Sequence, residues 1–299
     1  MSGGGVNCTA HDVPFLDIAE RLEQDGVRVA PGILACDRDE GRLAAAQGAR
    51  GPLWLKSVGE GNPRFCMELQ FPEDLSLGFI QAIQRSTSNA VLVQRGENGP
   101  VYRLHCDREL RPVSPVMAEA SLAPDSPYRV VMELTLPGDL SSERAQQLSA
   151  IARRTEALLE DDSRRWLEIE VVCTEAGPVL TDVWLSSTPT VIMTALQRAG
   201  LDGMPHGGDN GSAFSVAWLR SRSGVIRRIE GLERARALRS VVDVVVHATL
   251  GDVVGHVVDK QSRDRLGYVL AKGDTPTDAR NHALHGRGLI FIETEIAMA

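Results

Sequence analysis

The 299-residue sequence has few lysines and no dense block of basic residues. Three lysines accompany twenty-nine arginines, and forty acidic residues against thirty-two basic ones give a net charge of −8. A protein that binds nucleic acid needs a concentrated basic surface to neutralise the phosphates. The composition therefore argues against a nucleic-acid partner.

Long apolar runs and paired cysteines are lacking as well. No apolar run approaches the roughly 18 residues that a membrane span needs, and the opening MSGGGVNCTAHDVP has neither the basic start nor the apolar core of a signal peptide. The five cysteines are scattered without a CxxC pair, which predicts reduced thiols rather than a disulfide framework or a zinc site. We therefore expect a cytoplasmic protein that does not engage a membrane.

Several well-known catalytic motifs are also missing. The sequence contains neither a GxSxG nucleophile elbow nor an HExxH zinc motif, and the glycine-rich stretch at residues 200–212 lacks the GKS/T ending of a phosphate loop. His206 in that stretch is a candidate acid or base, although a solvated loop histidine is the simpler interpretation. No standard hydrolase site follows from these motifs.

The sequence does contain alternating helical and extended patterns, after a glycine-rich, polar tail at residues 1–12. Amphipathic spacing predicts helices in FLDIAERLEQDG and in SSERAQQLSAIARRTEALLE, and the apolar segments GPLWLKSV and RVVMELTL predict strands. NAVLVQRG and PVYRLHCD predict two strands joined by a hairpin-like ENG turn. After the glycine-rich stretch, the pattern predicts a separate α+β unit.

The most informative segment is WLEIEVVC-TEAG-PVLTDVWL, which predicts two strands joined by a turn. A three-residue loop at 175–177 would place Glu170 opposite Asp182. Because side chains alternate along a strand, Glu168 would lie on the same face, beside Trp184. The pattern thus predicts three acidic side chains on one face of this hairpin.

Like charges directly opposite each other destabilise a sheet, so something should compensate Glu170 and Asp182. A Mg²⁺ ion held by these two carboxylates would convert the repulsion into a binding site. Alternatively, the face could be exposed to solvent, where screening lowers the cost. The spacing alone leaves both interpretations open.

Lys56 stands at the end of the apolar run GPLWLKSV, just before a glycine-bearing turn, in a chain that uses arginine almost everywhere else. A lysine there could supply a compact positive charge for phosphate groups. It could instead protect the edge of a sheet from aggregation. Position alone does not separate these two roles.

In chain order, these segments resemble the ATP-grasp carboxylate–amine ligases, in the branch that includes amino-acid and dipeptide ligases and has a biotin-carboxylase-like C-terminal region. GVRVAPG resembles the beginning of the family's ATP-grasp unit, PLWLKSV its lysine-bearing strand, and VLVQRGENGPVYRL its adenine-contacting hinge. LEIEVVCTEAGPVLTDVWL resembles its acidic hairpin, and DRLGYVLAKGDTPTDAR its C-terminal segment. The resemblance implies an α+β ATP-grasp core of two α+β subdomains over residues 13–199, followed by a C-terminal α+β region, residues 200–299, that completes the unit.

The resemblance also implies an activity and a set of site residues. The family uses ATP and Mg²⁺ to activate a small-molecule carboxylate as an acyl phosphate and joins it to an amine, in this branch within specialised metabolism. Carried over, Lys56 binds phosphates and takes part in catalysis, and Gln94 belongs to the adenine-contacting hinge. Glu170 and Asp182 become catalytic magnesium ligands, and Glu168 could replace a lost ligand at the nucleotide site.

The sequence departs from the family at four functional positions. Trp184 replaces a metal-binding asparagine, Ser186 a substrate-binding arginine, Val101 a hairpin glutamate, and Ser57 the proline after the lysine. These departures leave open a degenerate ATP-grasp protein that binds a ligand or partner without ligase activity, or that has altered chemistry. The family's N-terminal domain has no counterpart here, so we expect either a homodimer or a partner chain that supplies it.

Overall fold

A computed structural model describes residues 14–47, 51–59, 65–71, 73–109, 115–123, 126–159, 162–200, 212–264 and 266–296. The predicted tail and His206 lie outside the described residues. The helices are α1 (Pro14–Gln24), α2 (Arg38–Gln47), α3 (Asp74–Ile83), α4 (Ser142–Leu158), α5 (Val191–Arg198), α6 (Leu232–Arg236), α7 (Lys260–Asp264) and α8 (Pro276–Gly288). The strands are β1 (Gly32–Ala35), β2 (Leu53–Ser57), β3 (Cys66–Leu69), β4 (Val91–Arg95), β5 (Val101–Asp107), β6 (Val116–Leu122), β7 (Val131–Leu136), β8 (Trp166–Thr174), β9 (Gly177–Ser186), β10 (Ala213–Trp218), β11 (Gly224–Glu230), β12 (Val241–Val246), β13 (Val253–Val254), β14 (Gly267–Gly273) and β15 (Phe291–Glu295).

The amphipathic helices begin and end where the sequence signals place them. The predicted first helix forms as α1, and the chain leaves it through Gly26, which has a φ of 77°. The side chain of Ser141 caps α4 by accepting a hydrogen bond from the backbone N–H of Arg144. Such a cap satisfies one of the unpaired donors in the first turn of a helix.

Four strands form what we call the small sheet, in the antiparallel order β1-β4-β2-β3. Helices α2 and α3 pack beside it, and a compact apolar core around Leu55, Phe79 and Val93 joins the sheet to α3. Strand β2 is flanked by β4 on one side and β3 on the other, so it lies inside the sheet rather than at its edge.

Eight strands form the large sheet, in the antiparallel order β12-β14-β10-β7-β6-β5-β8-β9. Helices α1 and α4 cover one face through a core that includes Leu22, Leu148 and Ile169. Helix α5 belongs to a second core, on Ile192 and Leu196, together with apolar residues of the other face. The polar residues that alternate with the α4-facing positions of β5 and β8 therefore point away from α4.

The predicted pairing of β4 with β5 as a hairpin is wrong. Strand β4 pairs with β1 and β2 in the small sheet, whereas β5 pairs with β6 and β8 in the large sheet. Between them Gly99 adopts a φ of 149°, and a Cβ at this position would lie 2.3 Å from the carbonyl oxygen of Cys173. The ENG segment therefore connects two sheets, because turn residues fix the local conformation but do not decide which strands pair.

The predicted C-terminal α+β unit forms, but it is not separate from the preceding core. Strands β10, β12 and β14 belong to the large sheet, and β10 pairs directly with β7. Strands β13, β11 and β15 form a third sheet with its own small core that includes Ile226 and Ile292. Residues from 213 onward thus extend the large sheet as well as building an additional layer.

Two further expectations concern cysteines and membranes. Cys66, Cys106 and Cys173 are free thiols, but Cys36 is disulfide-bonded, which corrects the prediction that all cysteines are reduced. In the part of the chain that the structure describes, no helix is long and apolar enough to cross a membrane.

Candidate functional site

A cleft lies between the small sheet and the polar face of β5, β8 and β9. Its cavity volume is about 70 Å³, and it opens to solvent. Three basic side chains line it, Lys56, Arg103 and Arg129, together with the carboxylates of Glu170 and Asp182. Its apolar lining includes Phe15, Leu92 and Val183.

The hairpin of β8 and β9 brings its acidic residues to this cleft by a route that the sequence did not predict. Thr174 pairs with Gly177, so the connection has two residues rather than the expected three. A bulge at Thr181 then shifts the register by one residue and restores Glu170 to a position opposite Asp182. The predicted juxtaposition is confirmed, although the predicted loop is wrong.

The bulge residue also supplies a buried acceptor. The carbonyl oxygen of Thr181 accepts hydrogen bonds from Lys56 Nζ at 2.8 Å and from Gln94 Nε2 at 3.1 Å. Gln94 also donates to the carbonyl oxygen of Ala30 at 3.2 Å and is fully buried. Its side chain therefore ties β4 to β9 and does not line the cleft, and its assignment to an adenine hinge stays a prediction.

Lys56 reaches from the small sheet to the large one. Its Nζ donates to Asp182 Oδ2 at 2.9 Å, and the residue is only 4% exposed. Burial lowers the pKa of Lys56, but the negative charges of Asp182 and Glu170 outweigh burial and raise the pKa above its usual value. Because Lys56 is buried on an inner strand, protection of a sheet edge does not explain it.

Arg103, which the sequence analysis did not single out, compensates the acidic hairpin. It lies on β5 directly opposite Glu170 of β8. Its Nη1 donates to Glu168 Oε1 at 2.5 Å and its Nη2 to Glu170 Oε2 at 2.7 Å. Burial raises the pKa of Glu170, but the charges of Arg103 and Lys56 overcome this effect and lower the pKa to about 2.

The acidic face is therefore neither solvent-exposed nor uncompensated. Glu168 and Glu170 are 3% and 6% exposed, which excludes the screening interpretation. Burial and the neighbouring Glu170 raise the pKa of Asp182, while the ion pair with Lys56 opposes them. Two basic side chains thus neutralise the hairpin from two different strands.

These carboxylates do not fit the predicted magnesium site as they stand. Besides its bond to Arg103, Glu170 accepts from Thr181 Oγ1 at 3.0 Å, and Asp182 Oδ1 accepts from the backbone N–H of Val183 at 3.0 Å. All four oxygens of Glu170 and Asp182 are therefore engaged by donors. Across the described ranges, no group of three or more His, Cys, Asp or Glu side chains is arranged to hold a metal ion.

Arg129 is the second cleft residue that sequence reasoning missed. Its guanidinium lies 3.8 Å from the centre of the Trp54 ring, and its Nη1 donates to Glu68 Oε2 at 3.4 Å. Trp54 Nε1 also donates to Glu68 Oε2, at 3.3 Å. Nothing in the sequence near Arg129 indicates this contact, since it depends on packing against β2 and β3.

Sequence comparison identifies one family in the C-terminal third of the chain. Residues 217–295 match the family model described as L-amino acid ligase C-terminal domain 2. No relative is found among curated proteins. The matched region does not include any of the cleft residues named above.

Comparison with solved structures covers nearly the whole chain. L-amino acid ligase from Bacillus licheniformis has 14% identity and a TM-score of 0.64, covering 92% of this chain and 72% of that one. Carboxyaminoimidazole ribonucleotide synthase from Aspergillus clavatus, complexed with ATP, has 12% identity and a TM-score of 0.64, covering 93% and 72%. The biotin carboxylase domain of Hydrogenobacter thermophilus 2-oxoglutarate carboxylase, in complex with MgADP and bicarbonate, has 14% identity and a TM-score of 0.63, covering 92% and 65%.

Proposed function

We propose that this chain, whose fold is that of the ATP-grasp carboxylate–amine ligases, binds ATP in the cleft at Lys56 and uses it to join a small-molecule carboxylate to an amine. The convergence of Lys56, Arg103 and Arg129 in one cleft between the two sheets carries this proposal. Polyphosphate is recognised by buried basic groups of this kind. The apolar lining at Leu92 and Val183 suits the flat face of a nucleobase.

The reaction would proceed by two displacements. A carboxylate oxygen attacks the γ-phosphorus of ATP, ADP leaves, and an acyl phosphate forms. The amine nitrogen then attacks the acyl carbon, inorganic phosphate leaves, and the nitrogen loses a proton to give the amide. The protein contributes mainly by positioning the reactants and neutralising charge.

Within the cleft, Lys56 is the residue best placed to contact phosphate oxygens. Its ammonium is a compact donor with three N–H groups, of which the structure shows two bonded, to Asp182 and to the carbonyl of Thr181. Asp182 thereby holds Lys56 in place and keeps it charged. Magnesium, which the relatives' fold implies, does not fit these carboxylates as they stand, because their oxygens are bonded to protein donors.

A second candidate is a protein that binds a nucleotide or another ligand without ligase activity. It is favoured by the internal neutralisation of the cleft, where Lys56 pairs with Asp182 and Arg103 pairs with Glu168 and Glu170. Arg129 in turn pairs with Glu68, so each of the three basic side chains has an acidic partner. This pairing weakens the electrostatic attraction of the cleft for a polyphosphate, compared with a cleft whose basic groups are unpaired.

The ligase proposal is tested by ADP release. Purified protein is supplied with ATP and a panel of amino acids as both acids and amines, and the amide product is identified by mass spectrometry. We expect amino-acid-dependent ADP release that falls about 100-fold in Lys56→Met/Asp182→Asn, a double variant that removes both charges of the pair. Lys272→Met, an exposed lysine on β14, is the matched control and should keep the wild-type rate.

Two other outcomes would contradict the ligase proposal. Equal rates in the wild type and the double variant would show that Lys56 plays no part in turnover. ATP binding without ADP release across the whole panel would favour the second candidate. Self-association, which the sequence analysis predicts, is measured separately by sedimentation over a range of concentrations.

A further inference from the structure

The acidic hairpin and Arg103 form one buried unit. The two Nη atoms of a single guanidinium reach carboxylates two residues apart on β8, with donor–acceptor distances of 2.5 Å to Glu168 and 2.7 Å to Glu170. The side chain of Arg103 is 9% exposed, and those of its two partners are 4% and 8% exposed. The planar fork of arginine suits two parallel charge-assisted bonds of this kind.

Trp184 completes this unit on the neighbouring strand. It lies opposite Glu168 in the hairpin, and its ring centre is 4.8 Å from the guanidinium carbon of Arg103. An indole at this distance attracts a guanidinium through its π-face and offers no oxygen to a metal. The residues around the carboxylates thus favour the guanidinium of Arg103 over a bound metal ion.

Arg103 competes with a divalent cation for these oxygens. Mg²⁺ would need oxygen ligands at about 2.0–2.1 Å in octahedral geometry, whereas Glu170 Oε2 is already bonded to Arg103. A metal ion beside the guanidinium would also place like charges together where solvent screens them poorly. Either cation neutralises the hairpin, and the bound guanidinium opposes the binding of a second cation.

We infer that Arg103 is a built-in cation that takes the place of a divalent metal at Glu168 and Glu170, so that the cleft receives a polyphosphate ligand without a metal ion bound to these carboxylates. The metal part of this inference does not depend on ligase activity. The ligand part rests on the proposed function, because it needs ATP to bind in the cleft.

Manganese titration followed by electron paramagnetic resonance tests the metal part, since the signal of the free ion disappears on binding. We expect the wild-type protein to bind Mn²⁺ no more tightly than about 1 mM, a weak affinity for a protein site. Arg103→Met should bind Mn²⁺ at least about 10-fold more tightly, because it frees two buried carboxylates. Lys272→Met, a change at an exposed lysine of β14, should match the wild type.

Arg103→Lys is the second variant, since it keeps a positive charge beside Glu168 and Glu170 and should not gain Mn²⁺ affinity. The inference would be overturned by micromolar Mn²⁺ binding to the wild type that Glu170→Gln abolishes. It would equally be overturned if folded Arg103→Met, checked by near-ultraviolet circular dichroism, bound Mn²⁺ no better than the wild type. The wild-type titration decides the question even if Arg103→Met does not fold.

Calorimetric titration of the wild type with ATP tests the ligand part, once with EDTA and once with excess Mg²⁺. We expect dissociation constants that agree within about threefold, a coupling free energy near zero between metal and nucleotide. Binding that is at least about 10-fold tighter with Mg²⁺ would contradict the inference. An absence of ATP binding in both buffers would contradict the proposed function instead, and the Mn²⁺ titration would still decide the metal part.

Discussion

Two ion pairs, one in the cleft and one on the third sheet, have similar geometry and very different surroundings. Lys56 and Asp182 lie 2.9 Å apart, with side chains 5% and 15% exposed. Arg227 and Glu295 lie closer, at 2.6 Å, but their side chains are 57% and 65% exposed. Distance alone would rank the second pair higher, whereas burial gives the first pair the larger consequence when it is broken.

The cleft and the third sheet also differ in how they match known protein families. Residues 217–295 match an L-amino acid ligase model, but they carry exposed pairs such as Arg227–Glu295 and none of the described residues that line the cleft. The cleft lies in residues that match by fold at 10–14% identity. Similarity in sequence is thus strongest away from the residues that would carry the chemistry, so function must be argued from the cleft itself.

The largest expected effect comes from breaking the buried unit at Arg103. Arg103→Met leaves Glu168 and Glu170 buried without their main counter-charge, and we expect it to lower the free energy of unfolding by about 3–5 kcal/mol. Urea denaturation followed by circular dichroism measures the change. Adding Glu168→Gln and Glu170→Gln to the same protein should recover much of the loss, whereas a triple variant as unstable as Arg103→Met would contradict this explanation.

A second prediction concerns pH. The pKa of Glu170 is lowered from 4.5 to about 2, so its stabilising contribution is fully present above pH 4.5 and is lost as the pH falls towards 2. The contribution is on the order of 3 kcal/mol. The difference in unfolding free energy between the wild type and Glu170→Gln should therefore shrink as the pH is lowered through this window.

The control for that experiment compares Glu170 with Glu170→Gln in a protein that also carries Arg103→Met. Because Arg103 is the main attraction that lowers the pKa of Glu170, the same comparison should depend less on pH when Arg103 is absent. If the difference in unfolding free energy between the wild type and Glu170→Gln stays constant as the pH falls from 4.5 towards 2, the neighbours of Glu170 do not hold it in its ionised form.

A third prediction concerns the coupling between Lys56 and Asp182, which a double-mutant cycle measures. Each of Lys56→Met and Asp182→Asn leaves its partner buried and unpaired, so the double variant should be less destabilised than the sum of the two single variants. We expect a coupling free energy of about 1–3 kcal/mol. Additive effects would mean that the two side chains do not depend on each other.

The smallest effect is expected at the exposed pair. Arg227→Gln should change the free energy of unfolding by less than about 1 kcal/mol, because solvent and salt screen the interaction with Glu295. The measurement is the same urea titration, repeated at low and high salt. A loss as large as that of Arg103→Met would remove the distinction between the two regions.

The sequence predicted that Glu170 faces Asp182, but not how the charges of the cleft are balanced. The juxtaposition of Glu170 and Asp182 follows from strand alternation, and it survives because the shorter loop and the bulge at Thr181 have opposite effects on register. A bulge is invisible in a pattern of alternating residues, since it changes pairing without changing composition. The prediction was therefore correct for a reason that the sequence could not supply.

Arg103 was missed because an arginine within a strand usually indicates an exposed face. The available signal was the alternation of Arg103 and His105 in PVYRLHCD, which matches the alternation of Glu168 and Glu170 on another strand. Recognising it requires knowing that β5 pairs with β8, although the paired residues Arg103 and Glu170 are 67 residues apart in sequence. Long-range pairing of this kind depends on the whole sheet rather than on local preference. The same limit explains the false β4–β5 hairpin.

The most direct measurement is a calorimetric titration of the wild type and of Lys56→Met/Asp182→Asn with ATP in the presence of EDTA. The account predicts saturable one-to-one binding to the wild type, which is lost or at least about 10-fold weaker in the double variant, a difference of about 1.4 kcal/mol in binding free energy. Lys272→Met should bind as the wild type does. ATP binding that is unchanged in the double variant would place the nucleotide elsewhere and contradict the assignment of the cleft.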